Sequence, residues 1–280
     1  MTGIDARQVQ SIEALNDDIG QSVLSFAEDG WIFDYYFRHH AASTLLVFLP
    51  SAAVAGKRMI PTFRRWTWAH SLPNYDVLSV SDPTMRLSEE MLGGWGIGTR
   101  ASWPLLNLLD HIAHLKDKYG YKNIVFCGSS LGGYMALQLD ILAQSRGLDV
   151  GSGGAYAENP QTNLFTYLIG RHIDLLASVG FSVPSRELVP EEFRDRFDVG
   201  TLIDREGFAP RGLLVIKESD THHYKDQLPH LTSAITRLGS KDLTVEVIPA
   251  ADDPTGHTPL TLEQMTPRIE ALLNRRGLAL

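Results

Sequence analysis

Short apolar segments alternate with longer amphipathic segments along most of the chain. Six of the short segments have the length and the aliphatic, β-branched content of buried strands: residues 44–49, 76–80, 123–127, 151–156, 212–216 and 243–248, of which the glycine-rich 151–156 has the weakest pattern. Helical periodicity separates them, as in residues 103–119. Near-continuous apolar strands alternating with helices are typical of a parallel sheet covered on both faces, so we predict a doubly wound, mostly parallel α/β fold.

The pattern differs before these strands and in one long interval between them. Residues 22–26 and 31–37 are joined through Glu28-Asp29-Gly30, and an Asp-Gly pair between two strands favours an antiparallel hairpin. Residues 160–210 are more than one crossover requires, and their apolar and aromatic content predicts a small helical cap. We expect a single domain that spans residues 1–280.

The composition narrows the class of protein. Of the 280 residues, 44% are hydrophobic and 21% are charged, and the formal charge of −8 argues against nucleic acid as the main partner. The single cysteine, Cys127, cannot form an internal disulfide, which favours a reducing compartment. The first residues have no apolar signal-peptide core, and no run of about 18 apolar residues occurs. We therefore expect a cytoplasmic protein without a membrane span.

The most informative motif is Gly128-Ser129-Ser130-Leu131-Gly132, which matches the G-x-S-x-G nucleophile elbow. A predicted strand precedes it, and a helical stretch follows it as far as Gly147. In that context the central serine projects above the sheet, and the glycines two residues to either side avoid a collision. Ser130 is therefore a candidate nucleophile. The alternative is a glycine-rich turn without chemistry.

A serine hydroxyl needs a base that accepts its proton and a carboxylate that orients the base. In open α/β sheets such groups lie on loops at the carboxyl ends of the strands. Asp220 follows the predicted strand 212–216, and His257 follows the predicted strand 243–248. Ser130, Asp220 and His257 thus form a candidate catalytic triad in the order nucleophile, acid, base.

Other residues compete for the acid and base roles. Glu158 follows the weakest predicted strand and is the main alternative acid, and Glu218 is a second one. Asp220 has the alternative role of a turn residue that bonds its own backbone. His222 and His223 lie beside Asp220 and are candidates for substrate contacts or for surface residues.

From about residue 22 to the C-terminus, the elbow, the acid-bearing loop at Asp220 and the final His257 resemble the α/β-hydrolase superfamily. The resemblance implies attack of Ser130 on a carbonyl carbon, an acyl-enzyme intermediate, and release of the acyl group to water or another acceptor. Many members carry His-Gly after the third strand to shape the oxyanion hole, whereas this chain continues as Pro50-Ser51-Ala52-Ala53.

An oxyanion hole needs two backbone N–H groups that point at the developing negative charge. We expect Leu131 to supply one of them, because it directly follows Ser130. For the second donor we favour Ala52, with Ser51 and Ala53 as alternatives.

Three further segments have both a functional and a structural interpretation. A basic, aromatic-rich segment contains Lys57, Arg58, Phe63, Arg64, Arg65, Trp66 and Trp68. For it we favour a solvated helix face over a site for an anionic substrate or for the phosphates of an acyl carrier. Residues 158–161 offer polar groups to a substrate or open the cap.

The glycines of residues 93–98 lack the register of a dinucleotide motif, and no His, Cys or carboxylate cluster has metal-ligand spacing, so we expect no cofactor and no metal.

The leading functional hypothesis is a serine esterase-type hydrolase that acts on a small-molecule or saccharide ester, or on a thioester. The second is an O-acyltransferase that moves an acetyl group to a saccharide hydroxyl. It is suggested because the loops 50–52, 82–83 and 158–161 resemble those of bacterial α/β-hydrolase proteins linked to surface-polysaccharide O-acetylation. The third is a catalytically silent binding module with the same fold. The sequence leaves the acyl chain and the oligomeric state open.

Overall fold

The structure, a computed structural model, describes residues 5–12, 15, 20–53 and 59–275. In this part of the chain nine strands form: β1 (Asp5–Gln8), β2 (Gln21–Glu28), β3 (Trp31–Arg38), β4 (Thr44–Phe48), β5 (Asp76–Val80), β6 (Asn123–Ser129), β7 (Gly154–Glu158), β8 (Gly212–Lys217) and β9 (Leu243–Ile248). The same residues form six α-helices: α1 (Pro104–Tyr119), α2 (Leu131–Ser145), α3 (Gly170–Phe181), α4 (Val199–Glu206), α5 (Leu228–Leu238) and α6 (Leu262–Arg275).

All the described strands belong to one sheet, in the order β1-β2-β3-β5-β4-β6-β7-β8-β9. β3 pairs antiparallel with both β2 and β5, whereas every pair from β5 to β9 is parallel. The prediction of a mostly parallel sheet with an antiparallel N-terminal hairpin is confirmed. The sequence pattern does not predict β1, which extends the edge in parallel to β2.

The predicted element bounds agree closely with the structure. The segments 76–80 and 243–248 coincide with β5 and β9, whereas the weak segment 151–156 forms a strand only from Gly154 onward. In the hairpin turn, Asp29 and Gly30 both have positive φ, at 50° and 82°. Such backbone geometry suits a two-residue turn whose twist matches that of the flanking strands.

The two faces of the sheet bury separate apolar clusters. Leu45 and Val47 of β4 face a cluster that includes α1 and α2, whereas Leu46 and Phe48 face a cluster that includes α6. Successive side chains of a strand point to opposite faces, so a strand covered on both sides is apolar throughout. This explains the continuous apolar runs in the sequence.

Residues 159–211, between β7 and β8, contain α3, α4 and three short 3-10 turns, in agreement with the helical content predicted there. The segment is attached to α2, where the Tyr134 hydroxyl donates to the carbonyl of Arg196 at 2.6 Å. Its role as a cap and the single-domain organisation stay predictions. Among the described helices, none is both long enough and apolar enough to cross a bilayer.

Candidate active site

Ser130 lies in the sharp turn between β6 and α2, at the carboxyl edge of the sheet. Its φ of 54° and ψ of −118° are costly for a residue with a side chain, as in a strained elbow. A Cβ on Gly128 would come within 2.1 Å of the Gly132 backbone, and a Cβ on Gly132 within 2.5 Å of the Pro50 carbonyl oxygen. Both glycines are therefore required by close backbone approach, as the motif predicts.

Gln161 contacts the serine directly. Its Nε2 donates to Ser130 Oγ at 2.8 Å and approaches His223 Nε2 at 3.0 Å. Its Oε1 accepts from the indole N–H of Trp95 at 3.1 Å, and because an indole can only donate, this bond fixes which end of the amide faces the serine. The fully buried Gln161 side chain therefore presents N–H groups to both Ser130 and His223.

Asp220 holds two imidazoles at once. Its Oδ1 lies 2.9 Å from Nδ1 of His223, and its Oδ2 lies 2.6 Å from Nδ1 of His257. The two rings stack, with centroids 4.4 Å apart and an interplanar angle of 21°. Since Gln161 donates to His223 Nε2, that nitrogen is the acceptor and the His223 proton lies on Nδ1, directed at the carboxylate.

The electrostatics of this group favour one negative charge between two imidazoles. Burial alone would raise the pKa of Asp220, but hydrogen bonds from His223 and His257 outweigh it and hold that pKa well below the usual range. Burial is also the main reason that the pKa of His223 is lowered, and the hydrogen bond to Asp220 offsets it only in part. Asp220 is therefore ionised and His223 neutral at pH 7.

His257 lies on the loop 249–261, with 44% of its side chain exposed. Within the described residues, no hydrogen bond joins it to Ser130. Its ring is nearly parallel to that of His223 and its Nδ1 faces Asp220, so its Nε2 lies on the side of the ring away from that carboxylate. Catalytic hydrogen bonds are commonly long in the absence of substrate and tighten in the complex.

Lys217 at the end of β8 anchors the loop that carries His257. Its ammonium group pairs with Asp253 at 2.8 Å and donates to the Thr258 carbonyl at 2.6 Å, the residue next to His257. The hydrogen bond from Lys217 is the largest cause that lowers the pKa of Asp253, to about 2. The exposed loop is thus fixed to the sheet by a buried cation.

Neither alternative acid, Glu158 or Glu218, is bonded to His257 in the described part of the chain. Glu158 pairs with Arg65 at 2.7 Å and accepts from the Leu260 N–H at 3.3 Å, and it makes no bond to an imidazole among the described residues. Glu218 is exposed and accepts from the Ala250 N–H. His222, the other histidine beside Asp220, bonds Asp226 at 2.8 Å.

The loop after β4 faces the first turn of α2 across a cavity of about 210 Å³, which Ala52 and Leu131 both line. Leu131 is the first residue of α2, so its N–H has no acceptor within the helix. The N–H of Ala53 is bonded to the Leu92 carbonyl oxygen at 2.6 Å, which removes Ala53 as an alternative oxyanion donor. Lys57 and Arg58, farther along this segment, lie outside the described residues.

One cluster departs from the expectation that no metal-ligand group forms. Asp220, His223 and His257 each offer a ligand atom, and the three atoms lie within 4.8 Å of one another. The linear spacing misses this cluster because two separate loops supply it. These atoms already bond one another through N–H groups, and a metal ion would have to displace those protons. The absence of a metal stays a prediction.

Sequence reasoning did not single out two of the residues brought together here, Gln161 and His223, as partners of the serine and the acid. The polar stretch 158–161 and the histidine three residues after Asp220 were visible signals. The sequence does not indicate that residues 161 and 223 lie close together, because their contact depends on how the loops after β7 and β8 pack.

No family model matches the sequence, and no curated protein matches it. Among solved structures, the capsule O-acetyltransferase of Neisseria meningitidis serogroup A superimposes with a TM-score of 0.59 and 16% identity, covering 93% of this chain and 97% of that one. Carboxyl esterase 2 from the mycorrhizal fungus Tuber melanosporum gives 0.56 and 16%, covering 100% and 91%. An S-formylglutathione hydrolase from Agrobacterium tumefaciens gives 0.55 and 13%, covering 94% and 95%. At these identities the likeness is one of fold.

Proposed function

We propose, from the premise that this chain has the α/β-hydrolase fold, that it is a serine hydrolase of carboxylic esters or thioesters. The observation that carries the proposal is a continuous set of polar contacts. Ser130 bonds Gln161, Gln161 bonds His223, and His223 and His257 share Asp220. A serine, a carboxylate and two imidazoles that can accept a proton thus lie at one edge of the sheet, as nucleophilic catalysis requires.

In this proposal His257, and not His223, is the base. His223 is buried, its pKa is lowered mainly by burial, and its Nε2 already accepts from Gln161. His257 is 44% exposed, and its Nε2 has no partner among the described residues. A nitrogen that carries protons between serine, leaving group and water needs this accessibility.

The chemical steps follow from these assignments. Ser130 Oγ attacks the carbonyl carbon while its proton moves to His257 Nε2, and the oxyanion accepts from the N–H groups of Leu131 and Ala52. The tetrahedral intermediate expels the alcohol or thiol, which takes the proton from His257. Water then attacks the acyl-enzyme and gives its proton to His257; the acyl–oxygen bond breaks, His257 returns the proton to Ser130 Oγ, and the carboxylic acid leaves. Asp220 stays ionised and stabilises the imidazolium that forms twice in the cycle.

The test is covalent labelling together with turnover. A fluorophosphonate probe should label the wild-type protein, and a short 4-nitrophenyl ester should be hydrolysed. Ser130→Ala should lose both, with an unchanged circular dichroism spectrum. Ser233→Ala, which alters an exposed serine on α5, is the matched control and should keep both. Labelling that persists in Ser130→Ala would remove the nucleophile from the proposal.

A second candidate function is transfer of an acetyl group to a saccharide hydroxyl, with the same serine chemistry and a different acceptor. The observation that favours it is the mutual coverage of 93% and 97% with a capsule O-acetyltransferase. Consumption of acetyl-CoA that rises only when a polysaccharide acceptor is added would decide for transfer. Failure of the fluorophosphonate to label Ser130 would instead favour a silent binding module.

The cytoplasm is the compartment that we propose for this activity. Cys127 is buried and free, and burial raises its thiol pKa well above the usual range, so it is an inert residue of the core. A saccharide ester or a small-molecule ester remains the proposed class of substrate.

A further inference from the structure

A second cavity of about 250 Å³ lies beside the nucleophile elbow and adjoins the first cavity, with which it shares Ser51 and Arg64. Two arginines, three hydroxyl-bearing residues and one tryptophan supply most of its wall: Arg64, Arg65, Ser51, Thr67, Ser129 and Trp68. Among the described residues, no aspartate or glutamate lines it. The first cavity differs, because Asp82 contributes to its wall.

The two arginines carry an uncompensated positive charge. Arg65 lies over the Trp68 ring at 4.7 Å and pairs with the buried Glu158. Arg64 forms no ion pair within the described residues; its Nε donates to the Ser51 hydroxyl. Desolvation, and after it the neighbouring charge of Arg65, lower the pKa of Arg64. Two adjacent guanidinium groups with one carboxylate leave a net charge of +1 that an anion would neutralise.

The backbone holds this pair in a costly conformation. Arg65 has φ 58° and ψ 11°, the left-handed region that residues with a side chain rarely adopt. Strain of this kind persists where the surrounding contacts require it, and it is concentrated at ligand sites. Here the contacts that hold it are the bonds of Arg65 to Glu158 and Trp68.

The position of the cavity relates it to one part of the substrate. Ser129 and the Pro259-Leu260 segment border it, so it lies beside Ser130 on the side of the loop that carries His257. In the proposed mechanism His257 gives its proton to the leaving oxygen, so the alcohol part of the ester lies on that side. The acyl part then faces the end of the first cavity that Leu131 and Ala52 line, whereas Ser51 and Arg64 lie where the two cavities adjoin.

We infer that the second cavity is a binding site for a carboxylate or phosphate group on the alcohol side of the substrate, held by Arg64 with support from Arg65. This inference rests on the proposed ester chemistry and names the class of its substrate. The planar guanidinium of Arg64 binds two oxygens of such a group at once, and the hydroxyls of Ser51 and Ser129 complete its hydrogen bonds.

Three acetyl esters with matched leaving groups test the inference: 3-acetoxybenzoate, 3-acetoxyphenyl phosphate and the neutral 3-acetoxybenzamide. The wild-type kcat/KM should be about tenfold or more higher for an anionic ester than for the amide, as expected for a hydrogen-bonded charge pair. Preference for the carboxylate or for the phosphate identifies the group. Arg64→Gln should reduce the ratio of anionic to neutral kcat/KM to near unity, and this ratio cancels any general effect on the oxyanion loop.

Arg237→Gln is the matched control, because it removes the same charge from the exposed face of α5 and should leave the ratio unchanged. Binding of inorganic phosphate, measured by calorimetry, should weaken by about tenfold in Arg64→Gln and not in Arg237→Gln. An equal ratio in the wild type and Arg64→Gln, together with equal phosphate binding, overturns the inference. If the wild-type protein hydrolysed none of the three esters but still bound phosphate, that result would count against the proposed function and not against the anion site.

Discussion

The two imidazoles that share Asp220 lie in regions of opposite character. His223 begins a π-helical turn that continues into α5, and 5% of its surface is exposed. His257 lies on a loop without regular structure, and 44% of its side chain is exposed. Both donate from Nδ1 to the same carboxylate, at 2.9 and 2.6 Å. Equal contacts with Asp220 therefore do not imply equal roles.

The difference follows from where each nitrogen can exchange its proton. In the His223 region the opposite nitrogen accepts from Gln161, so the ring is held at both ends and stays neutral. In the His257 region Lys217 holds the backbone of the loop and leaves the ring accessible. A fixed imidazole orients the carboxylate, and an accessible imidazole carries protons.

Removing each imidazole in turn tests whether the two have different roles. His257→Ala should lower kcat/KM for a short ester by about 10⁴-fold or more, since loss of the base disables the serine in enzymes of this mechanism. His223→Ala should retain far more activity. Steady-state hydrolysis of 4-nitrophenyl acetate measures both variants. The reverse order of losses would transfer the role of base to His223.

The fold and the positions of the three predicted triad residues follow from local sequence rules. Apolar runs define the parallel strands because both sheet faces are covered, and strand ends define the places of Ser130, Asp220 and His257. The contact of Gln161 with His223 does not follow, because it joins residues 62 positions apart through the packing of two loops. Nor does the bond from Ala53 to Leu92, which depends on a loop conformation.

Asp220→Asn removes the charge common to both regions while it keeps the side-chain volume. An amide offers one acceptor and one donor group, so one imidazole must lose its partner or change tautomer. The expected loss of kcat/KM is about 10³- to 10⁴-fold, because the base is no longer held in the productive tautomer. The folded state should persist in thermal unfolding. A loss below tenfold would mean that Asp220 is a turn residue only.

A matched pair of variants at position 223 tests whether that imidazole acts by orientation. His223→Asn keeps an N–H donor near the position of Nδ1, whereas His223→Leu leaves Asp220 Oδ1 and Gln161 without that partner. We expect the leucine variant to lose about 1–3 kcal/mol in the free energy of unfolding, as when a buried polar group loses its partner. Its kcat/KM should fall by about tenfold, because the pH profile of kcat/KM changes when the imidazole is absent. The asparagine variant should regain part of the stability and part of the activity. Identical pH profiles for the two variants would contradict an orienting role.

The pH dependence of stability should have opposite signs for the buried His223 and the partly exposed His230. The pKa of His223 is lowered, so the unfolded chain binds its proton more readily, and the contribution of His223 to stability is present above about pH 6.5 and is lost on acidification. The hydrogen bond to Asp198 is the main reason that the pKa of His230 is raised, so the contribution of that residue is present below about pH 6.5 and is lost as the pH rises. Urea unfolding at two pH values, about one unit below and above 6.5, should therefore show His223→Asn most costly at the higher pH and His230→Gln most costly at the lower. If the stability cost of both variants changed in the same direction with pH, His223 would be charged in the folded protein. The distinction between a fixed neutral imidazole and an accessible base would then fail.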